Sequence, residues 1–354
     1  MGERQKKDYV TARDDTARPE RKNSDRLTGS GATVSEGTPV FSHLPVMLSE
    51  CIEALSIKPD GVYVDGTAGG GGHSSEIARR LRDGRLISID RDREAIAACR
   101  ARLSGFGERV TLVHDNYSNM ESILAGLDIN GVDGVLLDLG VSSHQIDTKE
   151  RGFSYSRDGD APLDMRMSQE DKLSAYDVVN GYSVDELRHI ISEYGEERFA
   201  GRIAERIAAQ RESSPIRTTG ELSELVRSAI PVASVERGSH PAKRTFQAIR
   251  IEVNGELDGI EPALRAACDA MLPGGRIAVI TFHSLEDRIV KRVFSELARG
   301  CVCPPDFPVC VCGRKPRIKI INKKPITATA DELAVNPRAG SAKLRIAEKL
   351  PTSD

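Results

Sequence analysis

Four consecutive glycines, set between a short apolar run and a helix-like run, constrain this chain more than any other feature. The stretch reads Val62-Tyr63-Val64-Asp65-Gly66-Thr67-Ala68-Gly69-Gly70-Gly71-Gly72-His73-Ser74, and a helix-like segment continues over residues 75–81. The order is strand, tight turn, helix N-terminus. In that geometry the backbone approaches a nucleotide-like ligand and aims unpaired helix N–H groups at it. Dehydrogenases, methyltransferases and nucleotide-binding proteins share such turns, and a plain strand-to-helix turn can look the same. The residues at the ends of the later strands decide between them.

Apolar and helical segments alternate after the turn. Residues 61–65, 85–90, 110–114 and 132–139 read as strands, separated by helices at 74–81, 93–103 and 120–127. This rhythm predicts a parallel sheet with helices on both faces. It stops after residue 140, where polar sequence gives way to helical patterns at 175–179, 184–194, 198–212 and 220–230. In the third of these, Phe199, Ile203, Ile207 and Ala208 recur at helical spacing, and Thr219 or Gly220 reads as the cap of the fourth. The α/β pattern resumes with one long helix over 244–271, a break at Pro273-Gly274-Gly275, a strand at 276–282 and a helix at 285–298. Two final strands, 317–321 and 343–348, read as antiparallel neighbours. The expected fold is α/β and Rossmann-like, a mostly parallel seven-stranded sheet over 41–146 and 241–350 with an all-helical insertion over 147–240. Residues 1–40 are polar and should form a disordered tail; their interspersed acids argue against an organelle transit peptide.

Composition narrows the partners. With 50 basic and 53 acidic residues the formal charge is −3, so any nucleic-acid surface must be local. The chain has no Trp and only 4% aromatics, too few for a broad stacking platform. It contains no apolar run of membrane-crossing length and no hydrophobic signal segment, which points to a cytoplasmic protein. Seven cysteines in such a chain do not suggest a disulfide framework.

The ligand can be narrowed from the strand ends. Asp90 ends the second strand about 20 residues past the glycines, where an acid can hold both hydroxyls of a ribose. Asp115-Asn116-Tyr117 follows the third strand, where an aromatic can border an adenine ring. The glycines lack the Gly-x-Gly-x-x-Gly spacing that supports a pyrophosphate, Thr67 stands where the first would be, and no second mononucleotide half is present. S-adenosylmethionine, which has no phosphate, fits better. The fourth strand then delivers Asp138 to the sheet edge where chemistry usually sits, although a carboxylate there can also cap a turn.

Several longer segments resemble one family. They are the glycine turn, Asp138-Leu139-Gly140-Val141-Ser142-Ser143, Arg151-Gly152-Phe153-Ser154, Asp158-Gly159-Asp160-Ala161-Pro162-Leu163-Asp164-Met165-Arg166-Met167, His240-Pro241-Ala242-Lys243-Arg244-Thr245-Phe246-Gln247-Ala248-Ile249-Arg250, Thr281-Phe282-His283-Ser284-Leu285-Glu286-Asp287-Arg288 and Asn336-Pro337-Arg338-Ala339. Together they resemble the small-subunit ribosomal RNA methyltransferase H (MraW) family, from about residue 41 to the end. The resemblance implies a class I S-adenosylmethionine-dependent enzyme that methylates the exocyclic N4 of a cytosine in the decoding centre (P-site region) of 16S rRNA. By motif position it implies cofactor contacts at Gly71, Gly72, His73, Asp90, Tyr117, Asp138 and Gln145. Gly340 departs from the pattern, since many relatives carry a second basic residue there.

A cytosine amine is a poor nucleophile, so the enzyme must align it with the methyl donor and accept one N–H hydrogen bond. A base within folded RNA must also be extruded. The Asp/Asn-Pro-Pro-aromatic signature of many amino-methylating enzymes is missing after the fourth strand; Asp138, Asn254 and His283 are the candidate acceptors, in that order. A histidine at a strand end can equally be structural. Arg151, Arg166, Lys243, Arg244, Arg250 and Arg338, with Lys343 and Arg345, would bind RNA phosphates if they converge on one cleft. Phe153 and Phe246 could stack on a base or pack inside the insertion. Cys301-Val302-Cys303 and Cys310-Val311-Cys312 could bind zinc, which catalysis would not require, or remain reduced or redox-labile thiols. The expected partner is 16S rRNA, within the small subunit, and a homodimer is open. The rival readings are an NAD-dependent oxidoreductase and a non-catalytic nucleic-acid-binding module of the same fold.

Overall fold

The computed structural model describes residues 9–11, 44–155, 160–235, 240–303, 309 and 311–351. Most of the expected tail, Asp158, Gly159 and Cys310 lie outside them. One piece of the tail is ordered against expectation: Tyr9–Thr11 (β1) pairs antiparallel with Val110–His114 (β4) at the sheet edge.

The other strands are β2 (Val62–Asp65), β3 (Arg85–Asp90), β5 (Val132–Asp138), β6 (Met271–Thr281), β7 (Ile318–Ile320) and β8 (Lys343–Lys349). Their order is β1-β4-β3-β2-β5-β6-β8-β7. The pairs from β4 through β6 are parallel, whereas β8 runs antiparallel to both β6 and β7. The seven expected strands form this sheet, and β1 is an added edge.

Successive residues on a strand face opposite ways, so continuous apolar strands can feed two cores. Val64, Ile87, Val135 and Leu137 pack on one side with the helices Ile260–Ala270 and Ser284–Ala298. Tyr63, Leu86, Leu136 and Ala278 pack on the other with Leu48–Leu55 and Gly72–Arg80. Each Val, Leu or Ile among these, fully buried, contributes about 1.5–3 kcal/mol. A third cluster holds the helices Ala175–Gly181, Val184–Glu193, Ala200–Ser213 and Thr219–Ala229 together. It continues past residue 240, because Phe246, Ile249 and Val253 of helix Lys243–Asn254 belong to it.

Three local details differ from the sequence reading. The helix expected over 244–271 is two helices, Lys243–Asn254 and Ile260–Ala270. Gly255, at φ 56°, ends the first in the left-handed conformation that suits glycine. Pro273-Gly274-Gly275 does not precede β6 but lies within it. There the pairing with β5 jumps from Val132↔Met271 to Gly134↔Arg276, so the extra residues form a bulge. The cap of helix Thr219–Ala229 is Thr218, which accepts from the Glu221 N–H while Glu221 accepts from the Thr218 N–H. Among the described residues no helix is long and apolar enough to cross a membrane.

Candidate active site

The strand order reverses at β2, which has β3 on one side and β5 on the other, opening a crevice at the C-terminal edge of the sheet. Buried Asp65 organises its floor. Its carboxylate accepts from Ser74 Oγ at 2.6 Å and from the Thr67 N–H at 3.2 Å, tying strand, turn and helix together. Gly71, at φ 75°, caps the helix from the left-handed region. Gly72 permits a close approach: a Cβ there would lie 2.3 Å from Pro45 Cγ. Thr67 has its own use, accepting the Asp138 N–H at 2.6 Å and so fastening the turn to the end of β5.

The three acidic or aromatic strand-end residues converge. Asp90 accepts from the Gly69 N–H at 2.7 Å and the Asp92 N–H at 2.9 Å, and burial pushes its pKa up to about 6. Tyr117 starts a short 3₁₀ turn whose cap, Asn116, accepts from the Ser118 N–H; burial raises its phenol pKa, keeping it neutral. Asp138 ends β5 with Oδ2 3.8 Å from His73 Nδ1, and its Oδ1 is buried without a hydrogen-bond partner. Burial, then Asp65 and Glu286, raise its pKa well above the usual carboxylate range. His73 Nε2 lies 3.0 Å from the Val46 carbonyl, which can only accept, so Nε2 carries the hydrogen and Nδ1 faces Asp138. Burial lowers the His73 pKa and keeps the ring neutral.

Gly72, His73, Asp90, Tyr117, Asp138 and Gln145 all line one cavity of about 330 Å³, within the usual range for small-molecule sites. Gln145 faces it with its amide already used: Oε1 accepts from the Ser142 N–H, and Nε2 donates to Asp92. Gly71 shapes the turn from behind.

Two acids that sequence reasoning did not select also line the cavity, Glu256 and Glu286. Glu286 is almost fully buried and accepts from the Phe282 and His283 N–H groups. Burial opposes its ionisation, but His283, Arg250 and the Phe282 amide outweigh that and hold its pKa below the ordinary value. Its spacing three residues after a helix cap was the available signal. Arg250, expected to touch RNA, grips Glu256 through Nε and Nη2 at 2.8 and 2.9 Å, beside the same cavity.

The other catalytic candidates do not line it. His283 Nε2 lies 3.1 Å from Glu286 Oε1, but neither ring nitrogen makes a well-directed hydrogen bond. Asn254 is buried, accepts from the Met167 N–H at 2.7 Å and donates to the Met165 and Arg250 carbonyls at 2.8 Å. It is a clamp between helix Lys243–Asn254 and the start of the insertion. Asn254→Ala should cost about 2–4 kcal/mol in chemical denaturation by leaving buried backbone groups unpaired, while kcat of the folded fraction stays within a few-fold of wild type.

Most of the expected phosphate contacts are engaged internally. Buried Arg151 bridges Asp92 and Glu94 and donates to the Arg166 and Met167 carbonyls. Arg166 forks onto Asp164 and the Gln169 and Asp171 carbonyls. Arg345 forks onto Asp287, and Lys343 lies 3.9 Å from the same carboxylate. Lys243 and Arg244 are exposed at the first turn of their helix, with Arg244 donating to the Glu196 carbonyl. Arg338 lines the cavity while pairing with Asp147 at 2.7 Å. Phe153 and Phe246 are both buried in the insertion core.

Comparison with known proteins matches residues 40–350 to the model of the MraW methylase family. The chain belongs to the MraW methylase family. Relatives named ribosomal RNA small subunit methyltransferase H agree throughout. That of Heliobacterium modesticaldum is 54% identical over 313 residues, 88% of this chain and 99% of that protein. Those of Brevibacillus brevis and Clostridium botulinum are 53% and 55% identical over 311 residues, 88% of this chain and 98% and 99% of theirs. For a methylase, the crevice at the β2/β5 reversal is where a methyl donor and its acceptor would meet.

Proposed function

We propose that this methylase uses S-adenosylmethionine to methylate small-subunit ribosomal RNA, at the exocyclic N4 of a cytosine in the decoding centre of 16S rRNA. The observation that carries the donor half is Asp138, an acidic residue of the cavity wall whose buried Oδ1 has no protein partner. A sulfonium cation is the complement such a carboxylate lacks. The names of the curated relatives support the RNA half.

When bound, S-adenosylmethionine supplies an electrophilic methyl group. Asp90 would hold the ribose hydroxyls with the lone pairs left free by the Gly69 and Asp92 amides. Tyr117 would border the adenine. Asp138 would accept an N–H of the cytosine amine and take its proton as the nitrogen loses lone-pair conjugation with the ring. The insertion over 147–240 would present the RNA, with exposed Lys243 and Arg244 and cavity-lining Arg338 near phosphates.

The test is methyl transfer from labelled S-adenosylmethionine to small ribosomal subunits that lack this methyl group, followed by nucleoside mass spectrometry. N4-methylcytidine within the decoding-centre fragment is the expected product. Label on another base, or no label on small-subunit RNA, would overturn the reading.

A further inference from the structure

Methyl transfer makes no use of the loop between helix Ser284–Ala298 and β7. The loop is closed at its base where the Arg317 N–H donates to the Leu297 carbonyl at 2.8 Å. Among its described residues, Val302, Val309 and Val311 are all exposed. A loop of this kind needs a staple other than a hydrophobic core.

The thiols supply one. The Sγ atoms of Cys301, Cys303 and Cys312 all lie within 4.8 Å of one another. Cys301 and Cys312 are 3.7 Å apart, Sγ to Sγ. A tetrahedron with zinc–sulfur bonds of about 2.3 Å has an edge of about 3.8 Å, so this pair already has the separation of two ligands on one ion. A disulfide would need about 2.05 Å. The backbone is also arranged for thiolates. The Val302 N–H points at Cys312 Sγ at 3.5 Å, and the Cys303 N–H at Cys301 Sγ at 3.4 Å. Amide donors to sulfur offset the negative charge that thiolate ligands accumulate, the role that outer hydrogen bonds play around metal ligands.

We propose that Cys301, Cys303 and Cys312 hold a structural zinc ion that staples this loop, separate from the methyl-transfer cavity. Each thiol gives up its proton to solvent on binding, and one further ligand completes the tetrahedron. No electron transfer is involved.

The full chain, purified with a reductant and without chelator, should contain about one zinc per molecule by plasma mass spectrometry. Cobalt(II) exchanged into the wild-type chain should show sulfur-to-cobalt charge transfer and the intense visible bands of a tetrahedral thiolate site. Cys301→Ser and Cys312→Ser should each lose most of the zinc while keeping wild-type affinity for S-adenosylmethionine. The proposal falls if the chain stays metal-free after expression with added zinc and cobalt gives no charge-transfer band. It also falls if both variants retain full zinc.

Discussion

Replacing Asp138 by asparagine is expected to lower kcat by about 10²–10⁴-fold, the range usual for loss of a positioned proton acceptor. The substitution is nearly isosteric. The backbone N–H that Thr67 Oγ1 accepts is untouched, so the end of β5 should stay in place. What changes is the ability to carry negative charge. Without ligand, burial and the neighbouring Asp65 and Glu286 favour the protonated acid. A sulfonium beside the carboxylate reverses that balance, because an adjacent opposite charge stabilises the ionised form. Asp138 therefore becomes a base only once the methyl donor is in the site. Binding of S-adenosylmethionine to wild type should therefore release a proton from the fraction of Asp138 that is protonated in the ligand-free protein. Calorimetry in two buffers of different ionisation enthalpy reads that release directly, and single-turnover methylation reads the chemical step. In Asp138→Asn the release should disappear together with most of the rate. Equal proton release in both proteins, or an unchanged single-turnover rate, would take the proton acceptor away from Asp138.

Asp65, Asp90, Tyr117 and Asp138 were legible in the sequence for one physical reason: each lies at or just past the end of a buried apolar strand, and a parallel sheet brings strand ends to one edge. The four helices between Ala175 and Ala229 were legible from periodicity. Residues whose role depends on a distant partner were not. Arg151 and Arg166 look like phosphate contacts until Asp92, Glu94 and Asp164 are seen to neutralise them. Asn254 looks like a candidate amine acceptor on a helix until its amide is seen spent on the backbone of Met165 and Met167. Arg250 and Glu256 are only 6 residues apart, yet the Gly255 turn that folds one onto the other was read as the middle of a helix. Missing that break hid both the pair and its place in the cavity wall.

Asp90→Ala should weaken S-adenosylmethionine binding by about 10²–10⁴-fold, from two hydrogen bonds to a charged acceptor at about 1.5–3 kcal/mol each. The same change leaves the Gly69 and Asp92 N–H groups without their acceptor, so a loss of thermal stability should accompany it. Titration with pH separates the direct contact from that loss. In the ligand-free protein burial lifts Asp90 to about pH 6, above the ordinary carboxylate value of 3.8. Hydroxyl donors favour the ionised acid, so binding must remove its proton below about pH 6, and affinity falls as pH drops through that region. Below about pH 6 the slope of log affinity against pH should therefore gain about one further proton in wild type. In Asp90→Ala that added steepening should be absent, with the whole curve displaced to weaker binding. A variant that binds with wild-type affinity, or that keeps the steepening, would remove Asp90 from the ribose. A curve displaced without any change of slope would leave it as a brace for the glycine turn alone.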